Sequence, residues 1–294
     1  MSVLVLVSTW NIVPQVVSAL LERGAEVRVL ARDTDRARAV LPGAVEVVGW
    51  DPADEGGLRA AAEGAESLLL LTGHGLDMAD TQLRVLRAVR RLPVRVVKLS
   101  ATSSTVTPDG PHVGRQHWEV EQVLHGGGTP FVVLRPNAFS QVIVDQLAGA
   151  ARTTGVLPNP LGDAGISVVD ARDVGAVAAH ALTSDAWNGE TLVLTGPRAV
   201  TYPQLAELVS AATDAPLTVV DVPLDAVRDA QIARGVPLWE TDHRQEMFDM
   251  FARRESAFVT NEIRRITGTP PRDVATCVAE AAAAGAFTRV PVPN

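Results

Sequence analysis

Short apolar runs alternate with segments of helical spacing through the first half of the chain. The apolar runs predict strands at Val3–Val7, Glu26–Leu30, Val45–Val48, Ser67–Leu71, Arg95–Leu99 and Phe131–Leu134. Between them, residues spaced three and four apart predict helices at Val16–Leu21, Thr34–Val40, Leu58–Ala62, Met78–Arg90 and Trp118–Leu124. Strands that are apolar on both faces and joined by helices are typical of a parallel sheet with helices on both sides. We therefore expect an α/β fold with a doubly wound parallel sheet.

The alternation becomes less regular from about Gly155 onward. A proline-rich turn precedes a predicted strand at Ile166–Val169, a helix at Val174–Leu182 and a strand at Thr191–Leu194. Next come a helix capped by Thr201 that ends at Ala212, a strand at Val219–Val222 and a largely helical remainder. We expect residues 1–154 to form the doubly wound domain and residues 155–294 a smaller α+β substrate-side lobe, partly interleaved with the first.

Composition and charge narrow the classes of partner. The formal net charge of −8 disfavours direct nucleic-acid binding, which normally requires a basic surface. No apolar stretch approaches the roughly 20 residues that span a bilayer, and no secretory signal is visible. Cys277 is the single cysteine, so no internal disulfide can form and a cytoplasmic location is expected. No His, Cys, Asp or Glu cluster has metal-ligand spacing, and we predict no metal site.

The residue inventory excludes one catalytic motif. The chain has one lysine, Lys98, and one tyrosine, Tyr202, and they are far apart in sequence. A Tyr-x-x-x-Lys catalytic pair is therefore impossible. Because Lys98 lies inside a predicted strand, a salt bridge or a position at the sheet edge accounts for it without a catalytic role.

Several segments, in this order, resemble the NmrA-like branch of the atypical short-chain dehydrogenase/reductases. They are VRVLARD at Val27–Asp33, VVKLSA at Val96–Ala101, HWEVEQVL at His117–Leu124, VLRPNAFSQ at Val133–Gln141, ISVVDARDVGAVAAHAL at Ile166–Leu182, ETLVLTGPRAVTY at Glu190–Tyr202 and VTNEIRRITGTPPR at Val259–Arg272. The resemblance covers almost the whole chain. It implies a Rossmann-like NAD(P)-binding domain and a smaller C-terminal substrate lobe.

The sequence departs from the family at the nucleotide loop. An ungapped alignment places Val7, Trp10 and Val13 where members carry the three glycines that let the backbone approach a pyrophosphate. A β-branched residue disfavours the conformations open to glycine, and the indole of Trp10 takes up volume that the phosphate needs. We therefore expect no cofactor or weakly bound NADP, although a rearranged loop that still admits the dinucleotide stays open.

Six residues are the candidate cofactor contacts. In this family an arginine at the position of Arg32 can pair with the 2′-phosphate of NADP, and relatives contact adenine at the position of Asp51. A solvated charge at Arg32 and a turn cap before Pro52 at Asp51 are the alternatives. The remaining candidates belong to the nucleotide loop: Thr9, Trp10, Asn11 and Ile12.

Polar residues follow three of the predicted strands, at the edge where open α/β sheets bind ligands. We name His117 and Asn137 as candidate catalytic residues, because a histidine near neutral pKa suits acid/base chemistry. A surface or helix-capping role is the alternative for His117. His112 is a weaker candidate, because it lies in a segment of turn-forming residues. The candidate substrate contacts of these strand ends are His74, Ser100, Phe139 and Gln141.

Large apolar side chains concentrate in one C-terminal helical segment. Trp239, His243 and Phe248 are candidate substrate contacts there, as a lid over a flat apolar substrate. Core packing and a homodimer contact are the alternatives for the same stripe.

Three functions are consistent with these residues. The first is an enzyme of specialised metabolism that acts on a small aromatic or quinone-like, polyketide-type substrate with weakened or lost NAD(P) dependence, as an isomerase, cyclase, dehydratase or coupling enzyme. The second is an NADPH-dependent quinone or enone oxidoreductase. The third is a non-catalytic sensor or regulator that binds a protein partner. The altered glycine loop favours the first.

Overall fold

The computed structural model describes residues 1–7, 12–213 and 216–288, and within these ranges the chain forms nine strands and twelve helices. The strands are β1 (Ser2–Val7), β2 (Glu26–Ala31), β3 (Glu46–Gly49), β4 (Ser67–Leu70), β5 (Arg95–Leu99), β6 (Phe131–Pro136), β7 (Val156–Asn159), β8 (Thr191–Leu194) and β9 (Thr218–Asp221). The helices are α1 (Val13–Glu22), α2 (Thr34–Val40), α3 (Glu55–Ala62), α4 (Met78–Val89), α5 (His112–Gly126), α6 (Ser140–Arg152), α7 (Ala171–Leu182), α8 (Tyr202–Ala212), α9 (Leu224–Ala233), α10 (Leu238–Ala252), α11 (Glu262–Thr267) and α12 (Val274–Ala283).

Seven strands form one parallel sheet in the order β3-β2-β1-β4-β5-β6-β8. Strands β2 and β3 lie on one side of β1, and β4 and the later strands lie on its other side. The strand order therefore reverses between β1 and β4, and ligands bind at such a reversal in doubly wound folds. The predicted α/β class with a doubly wound parallel sheet is confirmed.

Helices cover the sheet because its strands expose apolar side chains on both faces. Leucines and valines of β1, β4, β5 and β6 form one core with the buried sides of α3, α4 and α5. Helix α1 packs against α7, and α7 also contacts β4, β5 and β6. The central strands β4 and β5 are buried at every position.

The chain forms two compact units, each assembled from several segments. The first comprises Met1–Pro136, Ala171–Leu194 and Glu262–Thr269, and the second comprises Asn137–Asp170, Thr195–Asn261 and Pro270–Asn294. The second unit contains the two-stranded parallel sheet β7-β9 and a core to which α6, α8 and α12 contribute. This is the smaller lobe that the sequence predicts, while the domain boundary after residue 154 stays a prediction.

Three local predictions differ from the structure. Ile166–Val169 forms only isolated bridges, with Ile166 pairing Val200 and Val169 pairing Phe139, because its two ends meet different segments. Helix α6 and strand β7 occupy a stretch in which the sequence predicts neither. Helix α5 begins at His112 rather than at Trp118, so His112 is helical and not part of a loop.

In the described ranges, no helix combines the length and the apolar character needed to cross a membrane.

Candidate active site

The predicted site residues of the first unit follow neighbouring strands. Because β4 pairs with β5 and β5 pairs with β6 in parallel, their carboxyl ends lie at one edge of the sheet. Thr72 and His74 follow β4, and Ser100 follows β5 directly. The structure therefore brings His74 and Ser100 to the same edge, as expected.

The most unusual residue near this edge is Lys98, for which the sequence predicts no catalytic role. Lys98 is fully buried, and β5 lies between β4 and β6, so the predicted position at the sheet edge is wrong. Its Nζ donates to Gln82 Oε1 of α4 at 2.8 Å and lies 2.8 Å from Nδ1 of His117. Gln82 Nε2 in turn donates to Thr72 Oγ1 at 2.8 Å. The lysine is thus held between α4 and α5 by a defined set of polar contacts.

Burial changes the acidity of Lys98. Loss of solvent lowers its pKa from 10.5 to about 7, the negative charge of Glu121 raises it, and the positive charge of Arg135 lowers it. A lysine with a pKa near neutrality can exchange a proton at physiological pH, which an ordinary lysine does not.

His117 is the second member of this cluster. It lies in the middle of α5 and is only 3% exposed, so the surface or capping alternative is wrong. The exposed His74 approaches it edge to face, with 6.1 Å between the ring centroids and an interplanar angle of 79°. A ring contact between His74 and His117 and the short contact between His117 and Lys98 therefore place three titratable side chains in series, from the exposed His74 to the buried Lys98.

Ser100 belongs to a separate buried ion-pair group. Its Oγ donates to Glu121 Oε1 at 2.5 Å, and Arg135 donates to both oxygens of the same carboxylate, with Nη2 at 2.5 Å from Oε2 and Nε at 3.2 Å from Oε1. Glu121 is fully buried and Arg135 is largely so. An open groove of about 510 Å³ adjoins the pair, with Trp118 and Thr107 on its walls. Ser100 is thus held by Glu121 rather than directed at the histidines.

The nucleotide loop is described only at its two ends. Thr9, Trp10 and Asn11 lie outside the described residues. Ile12 is the N-cap residue of α1 and is 2% exposed. Val7 ends β1 and Val13 begins α1, and both valines are buried. That they stand at glycine positions of the nucleotide loop stays a prediction.

Arg32 lies in the position expected for a 2′-phosphate contact. It follows β2 directly, its side chain is exposed, and it forms no hydrogen bond or ion pair with the part of the chain that the structure describes. The neighbouring Asp33 accepts from Arg36 N and caps α2. Arg32 is thus exposed at the end of β2, and its contact with a 2′-phosphate stays a prediction. Asp51 Oδ1 accepts from Ala53 N at 2.9 Å, which is the turn-capping contact weighed for it.

Asn137 holds segments of the second unit together. Its Nδ2 donates to Ser167 Oγ at 2.7 Å and to Ser256 O at 3.0 Å, and its Oδ1 accepts from Ser256 Oγ at 2.7 Å. Asn137 is 2% exposed. These bonds fix the backbone after β6, and the catalytic assignment of Asn137 stays a prediction.

Gln141 and Phe139 lie at the start of α6 in the same unit. Gln141 Nε2 donates to Asp170 Oδ1 at 3.0 Å, and Cys277 Sγ donates to Asp170 Oδ2 at 3.0 Å. Phe139 is half-buried and forms the bridge with Val169. Their substrate contacts also stay predictions.

The C-terminal apolar stripe lies on α10. Trp239 and His243 are four residues apart, and therefore share one face of the helix, and both are half-buried. Met247 and Phe248 pack against the core of the second unit. Phe248 therefore contributes to core packing, and the substrate contacts of Trp239, His243 and Phe248 stay predictions.

Within residues 1–7, 12–213 and 216–288, no group of three His, Cys, Asp or Glu side chains is arranged to hold a metal ion.

Comparison with known proteins places this geometry in context. The model of the NmrA-like family matches residues 1–275. The NAD(P)H azoreductase of Xenophilus azovorans is 29% identical over 286 residues, covering 97% of this chain and 99% of the relative. The (4-alkanoyl-5-oxo-2,5-dihydrofuran-3-yl)methyl phosphate reductase of Streptomyces griseus is 31% identical over 261 residues, covering 87% of this chain and 89% of the relative.

The fold also matches a solved structure. The NADPH-dependent quinone oxidoreductase of Escherichia coli in complex with NADPH superposes with a TM-score of 0.85 at 21% identity, covering 95% of this chain and 99% of that one. The resemblance predicted from the sequence is confirmed. These relatives are reductases, and they support an enzyme over a non-catalytic regulator.

Proposed function

Because the chain belongs to the NmrA-like family of NAD(P)-binding Rossmann-type reductases, we propose that it is an NADPH-dependent reductase of a flat conjugated acceptor. This is the second of the three functions drawn from the sequence, an NADPH-dependent quinone or enone oxidoreductase. Two relatives that match most of their own length and most of this chain are reductases, and this observation carries the proposal.

The acceptor class follows from what the relatives have in common. Their names specify an azo compound, a quinone and a dihydrofuranone ring with a conjugated double bond. Each contains an unsaturated bond that becomes electron-poor by conjugation, accepts a hydride and then needs a proton. Reduced nicotinamide supplies the hydride when bound. We infer that the acceptor of this chain is a quinone, an azo compound or an enone.

Arg32 supports NADPH over NADH. A guanidinium forms two parallel hydrogen bonds with a phosphate, and NADH lacks the 2′-phosphate. The exposed side chain of Arg32 has no competing partner among the described residues. We infer that the preference for NADPH depends on this accessible guanidinium.

Titration with NADPH and NADH tests the proposal, with nicotinamide fluorescence and thermal stability followed together. We expect saturation by NADPH, followed by NADPH oxidation when a quinone, an azo dye or an enone is added. Arg32→Ala removes a charged contact, so the Kd for NADPH rises about 10- to 100-fold while the Kd for NADH changes little. Arg59→Ala, which removes an exposed charge on α3, is the matched control and leaves both values unchanged.

If the altered nucleotide loop excludes the dinucleotide, the titration gives the opposite result. If wild-type protein binds neither dinucleotide and Trp10→Gly with Val13→Gly restores binding, the loop blocks the site and the cofactor-independent function takes precedence. Binding of both dinucleotides with equal affinity would remove Arg32 from the specificity argument.

A further inference from the structure

A reductase that delivers a hydride also needs a source of protons, and this chain has few side chains for that purpose. Its only tyrosine, Tyr202, is buried in the core of the second unit, where loss of solvent raises its pKa. Tyr202 is therefore a poorer acid at neutral pH than an exposed phenol. Among the described residues near the carboxyl ends of β4 and β5, the side chains that can carry a proton to an acceptor are His74, His117 and Lys98.

The contact between Lys98 and His117 holds one proton between two bases. A lysine ammonium can donate to Nδ1 of His117 only if that nitrogen carries a lone pair, so the imidazole must be neutral while Lys98 is charged. Protonating both groups would place two buried cations 2.8 Å apart, at a high electrostatic cost. Addition of a proton to one group therefore makes its addition to the other less favourable, and the two titrate as a coupled pair.

Apart from His117, the described polar groups that act on Lys98 include a neutral amide and the two members of an ion pair. Gln82 of α4 accepts a hydrogen bond from Lys98 through its Oε1 and donates one from its Nε2 to Thr72 Oγ1. Glu121 of α5 and Arg135 of β6 are bonded to each other, and their charges act on Lys98 in opposite directions. The group of known geometry that connects the pair to the surface is His74, whose ring lies against that of His117.

We propose that Lys98, His117 and His74 form a proton relay that supplies the proton taken up by the acceptor after hydride transfer. The proposal rests on the reductase function proposed above. The acceptor gains two electrons and one hydrogen as hydride, and its negatively charged oxygen or nitrogen takes a proton from His74. His74 regains that proton from the Lys98–His117 pair while the acceptor covers it. After the product has left, the pair regains a proton from solvent through the exposed His74. One NADPH and one proton are consumed for each acceptor reduced.

The roles within the relay differ. His74 is exposed and is the member that reaches the acceptor, so it is the catalytic residue of the three. His117 and Lys98 are buried and act through His74, as positioning and proton-holding residues. Gln82 fixes the direction of the ammonium group, because its carbonyl accepts from Lys98 while its amide is bonded to Thr72.

The first test uses the protein without cofactor and needs no enzymatic activity. Because Lys98 is the only lysine, selective isotope labelling of lysine gives a single side-chain signal, whose chemical shift follows its charge. We expect the Lys98 signal and the His117 ring signal to change over the same pH interval. His117→Leu removes the acceptor, so the midpoint of Lys98 falls by about one to two pH units. Lys98→Met removes the neighbouring cation, so the midpoint of His117 rises.

The same NMR titration includes a control variant and a result that would overturn the relay. His125→Gln alters a histidine at the end of α5 outside the relay and leaves the midpoint of Lys98 in place. The relay is overturned if Lys98 stays charged up to about pH 9, or if Lys98 and His117 titrate independently in the two single variants. Circular dichroism of each variant separates these results from loss of the fold.

The second test uses NADPH and a quinone. We expect His74→Ala to lower kcat by about 10²-fold with little change in KM for NADPH, and added imidazole to restore part of the rate. Lys98→Met should abolish the fall in kcat as the pH rises past neutrality, which a residue with only a structural role would not do. If the wild type does not oxidise NADPH, the proposed function fails. If the wild type is active and Lys98→Met keeps its pH profile, the relay fails and the reductase stands.

Discussion

Gly175 of α7 allows α1 and α7 to approach each other closely. A Cβ placed on Gly175 would lie 2.9 Å from the carbonyl carbon of Gln15 and 3.1 Å from its oxygen, both of which belong to the backbone of α1. Because backbone atoms cannot rotate away as a flexible side chain can, Gly175→Ala must push the two helices apart. Gly149 of α6 is the matched control, since a Cβ there meets nothing within 4 Å.

The two substitutions differ by the cost of that displacement. Replacing glycine by alanine inside a helix gains about 1 kcal/mol from helix propensity, and both variants receive this gain. Overpacking at Gly175 costs about 1–3 kcal/mol, so Gly175→Ala should be less stable than Gly149→Ala by that amount. For a chain of this size, the difference corresponds to melting about 2–12 °C lower.

The displacement also has a functional consequence. Gln15 lies in the first turn of α1, whose N-terminus follows the nucleotide loop, so a shifted α1 should weaken NADPH binding in Gly175→Ala and not in Gly149→Ala. Thermal unfolding and fluorescence titration of the two proteins measure both effects. Equal melting temperatures and equal affinities would refute the close-packing argument.

Three further predictions concern buried charge and helix capping. Burial lowers the pKa of Lys98 from 10.5 to about 7, so between these values the native state binds fewer protons than the unfolded state. The free energy of unfolding should therefore rise from pH 7 to pH 9 in the wild type, and Lys98→Met should remove this rise in urea titrations. Arg135→Met leaves the buried Glu121 carboxylate without its cation and should cost about 3–5 kcal/mol, part of which Glu121→Gln in the same chain recovers. A loss below about 1 kcal/mol would contradict this. Thr201→Ala removes the side-chain half of the capping box of α8 and should lower stability by about 1 kcal/mol in the same assay.

Strands β1, β4 and β6 could be predicted because they are almost entirely buried, and an apolar run identifies such a strand without tertiary information. Helix α6 shows the limit of that reading. Its buried residues Ile143, Val144, Leu147, Ala148 and Ala151 have helical spacing, so a signal was present and was missed beside the proline-rich turn that follows. Ile166–Val169 shows the reverse, because an apolar run becomes a strand only when one partner strand pairs along its length.

The candidate site was only partly predictable, because contacts between separate helices decide it. His74 could be selected as a polar residue after a predicted strand, and His117 as a histidine at the start of a predicted helix. Lys98 could not, since only the strand order places it in the centre of the sheet, and only the packing of α4 and α5 brings Gln82 and His117 to its ammonium group. Its depressed pKa follows from this burial and from no local sequence pattern.

The position of Lys98 itself argues for a role beyond packing. Its neighbours in β5, Val97 and Leu99, are buried apolar residues, and a methionine of similar length would fill the same volume without desolvating a charge. Gln82 would then lose a single hydrogen-bond donor, a modest cost beside that of burying an ammonium group. Stability alone therefore disfavours lysine at this position. The contact with His117, and through it with the exposed His74, gives the buried amine a function that methionine cannot perform, namely to accept and return a proton near neutral pH.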